Sequence, residues 1–210
     1  MTTHAASLPT ASVRPQTGAR LLELLGAEPP NAAEIAAFLD GLTHDGRMEA
    51  LAALSGPAVQ RRLWEVAASA PRVDTTDLVP PDAPAKREVI FHGKNSLPAF
   101  TFFQKRFLRP RAGADTLWGY NHQSLAWLTG PGYFVVHDEP ARGAAIDYRE
   151  VPPESVAGWP AVKPNSAGLS RFVSKDMVDY LRRVSTHVLI GRATKYGKDL
   201  ENYFALCREP

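Results

Sequence analysis

The segment TLWGYNHQ places tryptophan, tyrosine and histidine at alternate positions, the arrangement in this chain best suited to chemistry. On an extended strand, Trp118, Tyr120 and His122 share one face, while Leu117, Gly119 and Asn121 share the other. An unperturbed imidazole titrates at about 6.5, so His122 would serve as a general base near neutral pH. Tyr120 beside it, or Arg182, would stabilise developing negative charge. Asp147 stands between Ile146 and Tyr148 and faces the opposite way. Buried beside an arginine, it would orient or bind a substrate. His122, Tyr120 and Asp147 are therefore the candidate catalytic residues.

A second set suits binding. Trp118, Trp127, Tyr133 and Tyr148 would line a pocket with amphipathic rings, together with Tyr120 and His122. Arg182 and Arg183 are neighbours on one strand and point to opposite faces, so one of them faces inward. A buried arginine needs a carboxylate partner or a bound acid, and Asp179 and Asp147 are the candidates. Arg182 and Arg192 are accordingly assigned to the polar end of a ligand. In FHGKNSLPAF, Gly93 and Asn95 permit unusual backbone angles, and Lys94 with nearby amides could hold an anion. Neither GxxxxGK[ST] nor GxGxxG occurs, so this turn is not a phosphate loop.

Several chemistries find no support. His92, His122, His137 and His187 lie on or beside extended segments, but no pair has the i, i+2 or i, i+4 spacing of a local chelate. No metal and no cofactor is read. There is no G-x-S-x-G, and the single cysteine, Cys207, sits in the apolar run YFALC as a packed residue. A lone cysteine excludes an intrachain disulfide framework and fits a reducing compartment. The chain carries 24 basic and 22 acidic residues, net +2. Residues 1–85 hold 6 basic and 10 acidic side chains and residues 86–210 hold 18 and 12, giving −4 and +6. The basic residues alternate with acids instead of forming a stripe, which argues against nucleic acid. No apolar run approaches the roughly 20 residues of a membrane span. The first 16 residues are polar, without the apolar core of a secretory leader. The expected location is cytoplasmic.

The elements that must position these residues divide the chain in two. Residues 1–16 read as a disordered N-terminus and residues 17–70 as a helical subdomain. GARLLELLGA is an apolar helix stopped by Gly26 and Pro29–Pro30. Asn31 and Glu34 form a capping box, with Gly41 at the C-cap position. A third helix runs from about Arg47 to Leu54, and Pro57 starts a fourth with Val59, Leu63 and Val66 on one face. Helices this short need something to pack on, so a protein partner through residues 17–70 is one expectation. Residues 71–86 hold four prolines in 16 positions and read as a semi-rigid linker.

Residues 87–210 read as about seven antiparallel strands. The last three, in MVDYLRRV, HVLIGRAT and ENYFALCRE, alternate aromatic or β-branched residues and form a meander of the kind that closes small barrels. Phe100, Phe103 and Phe107 recur at helical spacing, but the same letters also fit a strand, so Phe100–Leu108 stays open between helix, the reading preferred, and strand. Residues 151–176 read as a long loop of the lid type.

At DYLRRV, HVLIGRA and YFALCRE the chain resembles the C-terminal part of the GXWXG-type small bacterial barrels, over roughly residues 177–209. Trp118–Gly119 does not complete that family's Gly-x-Trp-x-Gly motif. The resemblance implies a lipocalin-like, or calycin-like, barrel. The fold expected is therefore α+β: a small helical N-terminal subdomain followed by an antiparallel calycin/lipocalin-like β-barrel or strongly curved sheet. The function expected is binding of a small apolar ligand with a polar or anionic end. The alternatives are a cofactor-independent isomerase, cyclase or hydrolase using His122, and an interaction module built on the helices.

Overall fold

A computed structural model describes residues 14–98, 101–122, 132–162 and 176–210. The chain opens with four short helices, each begun by a recognisable signal. They are α1 (Arg14–Gly26), α2 (Ala32–Asp40), α3 (His44–Ala52) and α4 (Gly56–Val66). The Asn31 side chain accepts from the amides of Ala33 and Glu34 at 3.0 and 3.2 Å, and Thr43 Oγ1 accepts from Gly46 at 3.2 Å. These oxygens satisfy amides that the first helical turn leaves without partners. Pro57 stands in the first turn of α4, where no backbone donor is needed. Gly41 does close α2, but with φ −73°, so its freedom from a side chain is not used.

The helices bury one face each. Leu21, Leu24 and Leu25 of α1, Ile35 and Leu39 of α2, Leu51 of α3 and Leu63 and Trp64 of α4 form one core. That core also contains Val178, Tyr180, Val188, Ile190, Tyr203, Ala205 and Cys207 from the later strands. The apolar face expected to dock a partner is thus covered by the chain's own sheet. Gln60 reinforces the contact, donating from Nε2 to the carbonyls of Leu54 (2.9 Å) and Lys94 (3.1 Å).

Eight strands follow: β1 (Val89–Asn95), β2 (Phe102–Leu108), β3 (Leu117–His122), β4 (Tyr133–Glu139), β5 (Gly143–Asp147), β6 (Met177–Arg183), β7 (Val188–Lys195) and β8 (Lys198–Arg208). Each pairs antiparallel with its neighbour in sequence, and β8 pairs with β1, so the sheet closes. The architecture is an α+β, lipocalin-like barrel of up-and-down strands. Closure leaves no unpaired edge. The β7–β8 hairpin turns on Tyr196 and Gly197, both at positive φ (52° and 72°), the pattern of a two-residue type I′ turn.

One open sequence reading is decided and one expectation changes. The stretch Phe100–Leu108, open between helix and strand, is β2 from Phe102 onward, and Phe100 itself lies outside the described residues. A spacing of four residues suits a strand face as well as a helix face, and pairing with β1 and β3 decides between them. Residues 71–86, expected as a linker, hold a short helix, α5 (Thr75–Leu78), started by a capping box at Asp74. Val73, Leu78 and Val79 are fully buried and belong to the core inside the barrel. This segment is a plug. Thr75 donates through its amide and hydroxyl to Asp138 (2.9 and 2.7 Å), and Arg183 reaches Asp77 at 2.5 Å.

Candidate functional site

The interior of the barrel is defined by a cluster drawing on all eight strands, including Phe91, Phe107, Leu117, Phe134, Ile146, Leu181, Leu189 and Phe204. Alternation then fixes every other position. On β3 the inward residues are Leu117, Gly119 and Asn121, so Trp118, Tyr120 and His122 face outward. His122 is exposed to solvent, not set in the cavity expected for it. The reason is local: a Cβ at position 119 would lie 2.2 Å from the Phe134 ring, so only glycine fits inward there. Trp118, Tyr120 and Tyr133 instead meet the segment 151–162 on the outer wall. Trp159 packs against Tyr120 in a tilted contact at 4.8 Å and donates to Glu88 at 2.6 Å, and Tyr133 donates to the Pro160 carbonyl at 2.5 Å. Burial pushes the Tyr133 hydroxyl up to about 12.

Most of the other expected binding residues settle outside. Asp147 faces outward and pairs with Arg149 at 2.6 Å. Arg182 lies over the Trp64 ring at 3.9 Å and donates to the Trp64 carbonyl at 2.7 Å. Arg192 pairs with Asp199 (3.0 Å) and Glu201 (2.9 Å). The inward arginine of the pair is Arg183, which is held by Asp77 of the plug. Lys94 lies over Phe102 at 5.3 Å, and Asn95 Oδ1 accepts from the Leu97 amide at 3.1 Å in a local turn. Trp127 lies outside the described residues. Of the expected set, Tyr148 lies inside the barrel, and Asn95, paired with Phe204 at the last position of β1, shares the inward face at its rim.

Tyr148 belongs to a buried polar cluster built on four strands and their ends. Lys105 on β2 donates from Nζ to Asp179 Oδ2 on β6 and to Asn121 Oδ1 on β3, both at 3.1 Å, and to the Tyr148 hydroxyl. Tyr148 donates to Asp179 Oδ2 at 3.1 Å and accepts from Asn121 Nδ2 at 3.1 Å. Lys105 is 2% exposed and Asp179 3%, so both charges have left water. Burial pulls the Lys105 ammonium below its usual range while Asp179 opposes the change. Burial likewise raises the Asp179 carboxyl against the pull of Lys105, and pushes the Tyr148 hydroxyl well up. The second oxygen, Asp179 Oδ1, is buried and has no hydrogen-bond partner among the described residues.

Four rings surround the ammonium. Nζ lies 5.8 Å from the centroid of Phe103, 5.1 Å from Phe134, 5.0 Å from Tyr148 and 4.8 Å from Phe204. Three of them owe their position to glycine. Phe103, Phe134 and Phe204 are the direct cross-strand partners of Gly93, Gly119 and Gly191. In each case a Cβ on the glycine would meet the ring at 2.1 to 2.5 Å. The rings therefore lie flat on the wall, over backbone, and enclose the ammonium from the sides.

The sequence carried a signal for this site. Lys105 falls between Phe103 and Phe107 on one alternation, and Asp179 between Met177 and Leu181 on another. Two opposite charges at inward positions of a closed barrel must find each other or a ligand. The cluster lies toward the barrel end away from α5, where β3 ends and β6 begins. The plugged end is packed with Phe91, Phe107, Val136 and Leu206.

The fold and site define a closed lipocalin-like barrel with a buried, charge-balanced cluster packed among aromatic rings. Comparison of the chain with protein-family models, with curated proteins and with solved structures finds no match in any of the three. Among the described residues, no helix is long and apolar enough to cross a membrane.

Proposed function

We propose that the chain is a small-molecule binding protein that takes an apolar ligand into the barrel from the end opposite α5. The observation that carries this reading is the buried cluster of Lys105, Asp179, Tyr148 and Asn121 within an aromatic wall. A chain needing only stability does better with apolar side chains there, because buried ion pairs are often less stabilising than hydrophobic replacements. Few polar groups set in an apolar chamber are the usual make-up of a small-molecule site. The calycin-like resemblance of the last three strands points the same way.

The test is native mass spectrometry of the chain purified from its own host, followed by denaturing extraction. A small molecule bound one to one, and lost in a Phe204→Ala or Phe103→Ala variant that still folds, is the expected result. A clean apo mass together with no binding of an apolar fluorescent probe would defeat the reading.

A second reading, cofactor-independent proton transfer in the same chamber, is favoured by one observation. Asp179 is a buried carboxyl raised by desolvation, beside a tyrosine and a lysine, the environment that tunes acid–base groups. The acid–base residue in that case is Asp179, and His122→Ala leaves any turnover unchanged.

A further inference from the structure

We infer that the barrel's ligand presents an uncharged hydroxyl, on an aromatic or otherwise apolar frame, to the free oxygen of Asp179. This inference rests on the binding role proposed above and narrows the chemistry of the ligand.

The argument starts from hydrogen-bond supply. A lysine ammonium has three donors, and three acceptors surround Lys105: Asn121 Oδ1, the Tyr148 oxygen and Asp179 Oδ2. The ammonium is fully engaged. The Asp179 carboxylate is not, because both donors that reach it, Lys105 Nζ and the Tyr148 hydroxyl, converge on Oδ2. Oδ1 is buried and without a donor among the described residues. A buried carboxylate oxygen left so is costly, and native sites resolve it with water or a bound molecule.

Charge then selects among donors. Lys105 and Asp179 already balance, so the cluster is neutral as a pair. A cationic ligand would bring an uncompensated positive charge into a low-dielectric chamber that already holds an ammonium. An anionic ligand would set its own oxygens against Oδ1, and the nearest cation has no donor to spare. A neutral hydroxyl supplies the missing donor at no electrostatic cost. Its frame is set by the walls: Phe103, Phe134, Tyr148 and Phe204 offer ring surface around Lys105 Nζ, the direct partner of Asp179. The anionic end expected from the sequence rested on Arg182 and Arg192, and both are engaged on the outer wall.

The experiment is isothermal titration of the full chain at neutral pH with three ligands of one shape: 2-naphthol, naphthalene and 2-naphthoate. Hydrophobicity alone ranks naphthalene first, since transfer of a hydroxyl from water is unfavourable. The expected result is the reverse, with 2-naphthol binding about tenfold or more tightly than naphthalene and 2-naphthoate weakest. Asp179→Asn keeps the size of the side chain. With its oxygen toward Lys105, it turns the free acceptor into a donor. That variant should lose the preference for 2-naphthol and gain one for 2-acetonaphthone, an acceptor of similar shape. Equal binding of 2-naphthol and naphthalene by the unmodified chain would overturn the inference, with water filling the Oδ1 position, and would leave the proposed barrel binding standing. Failure of all the probes to bind would remove that binding role and the inference with it. The ranking in the unmodified chain decides the matter even where Asp179→Asn fails to fold.

Discussion

Gly119 on β3 and Phe134 on β4 face each other across the ladder, and the phenylalanine ring fills the space a side chain at 119 would need. The relationship recurs at Gly93 with Phe103 and at Gly191 with Phe204. All three rings border Lys105 Nζ. The barrel thus uses absent side chains on three strands to hold aromatic walls around one buried cation.

Gly119→Ala should be the most damaging of the three small substitutions. Its Cβ would meet the Phe134 ring at 2.2 Å and the Arg106 carbonyl oxygen at 2.6 Å, and the second cannot swing away. The nearest atoms at Gly191 belong to the Phe204 ring alone. Overpacking of this kind costs about 1–3 kcal/mol. Urea unfolding should place Gly119→Ala at the upper end and Gly191→Ala below it. Phe134→Leu added to Gly119→Ala should recover part of the loss, and equal losses at both sites would contradict the packing argument.

The Lys105–Asp179 pair should behave as a unit. Lys105→Met leaves a buried carboxylate without its cation, a change worth about 3–5 kcal/mol. Lys105→Met with Asp179→Leu removes both charges and should restore at least about 2 kcal/mol of that loss. A double-mutant cycle by chemical denaturation gives the coupling energy. Simple additivity of the two single effects would show that the pair is not the energetic element described.

Leu78→Ala tests the plug. Leu78 is fully buried and packs within the barrel core although it belongs to a helix of four residues. Deletion of a buried leucine side chain costs about 2–4 kcal/mol. Pro81→Ala, at an exposed position three residues on, should change stability by less than about 0.5 kcal/mol. A thermal melt in which both variants match the parent would return residues 71–86 to the role of a spacer.

Asp40 should make the docking of the helices pH-dependent. It accepts from the Thr186 amide at 3.0 Å and hydroxyl at 2.9 Å, tying the end of α2 to the β6–β7 turn. Burial tends to raise its carboxyl, but hydrogen bonds from Ser185 and Thr186 outweigh it and leave the pKa below the usual 3.8. A carboxyl depressed by folding contributes stability above its unfolded pKa and loses it as pH falls through the folded one. Asp40 is exposed, so screening limits the effect to about 0.5–1 kcal/mol. Asp40→Ala should therefore melt below the parent at pH 6, and the gap should close as pH drops below 3.8. A gap that persists unchanged under acid would show that the carboxylate charge plays no part.

The strands of the last third were legible because alternation of apolar and polar residues is a local property, set by the two-residue repeat of an extended chain. The helix starts at Asn31 and Pro57 were legible for the same reason, since caps act within one turn. Phe100–Leu108 stays open between helix and strand on sequence alone because the four-residue spacing of Phe103 and Phe107 fits both repeats, and only pairing with β1 and β3 separates them. The aromatic face of β3 was visible in TLWGYNHQ, but nothing in those letters says which face is inside. That was decided by Phe134, fifteen residues beyond Gly119, whose ring admits only glycine opposite it. Local sequence thus determined which residues share a face. Closure of the barrel decided which face is enclosed, and so moved the candidate site from Tyr120 and His122 to Lys105, Tyr148 and Asp179. The cause is steric and electrostatic: inside a closed sheet, rings must find space and charges must find partners on strands that are distant in the chain.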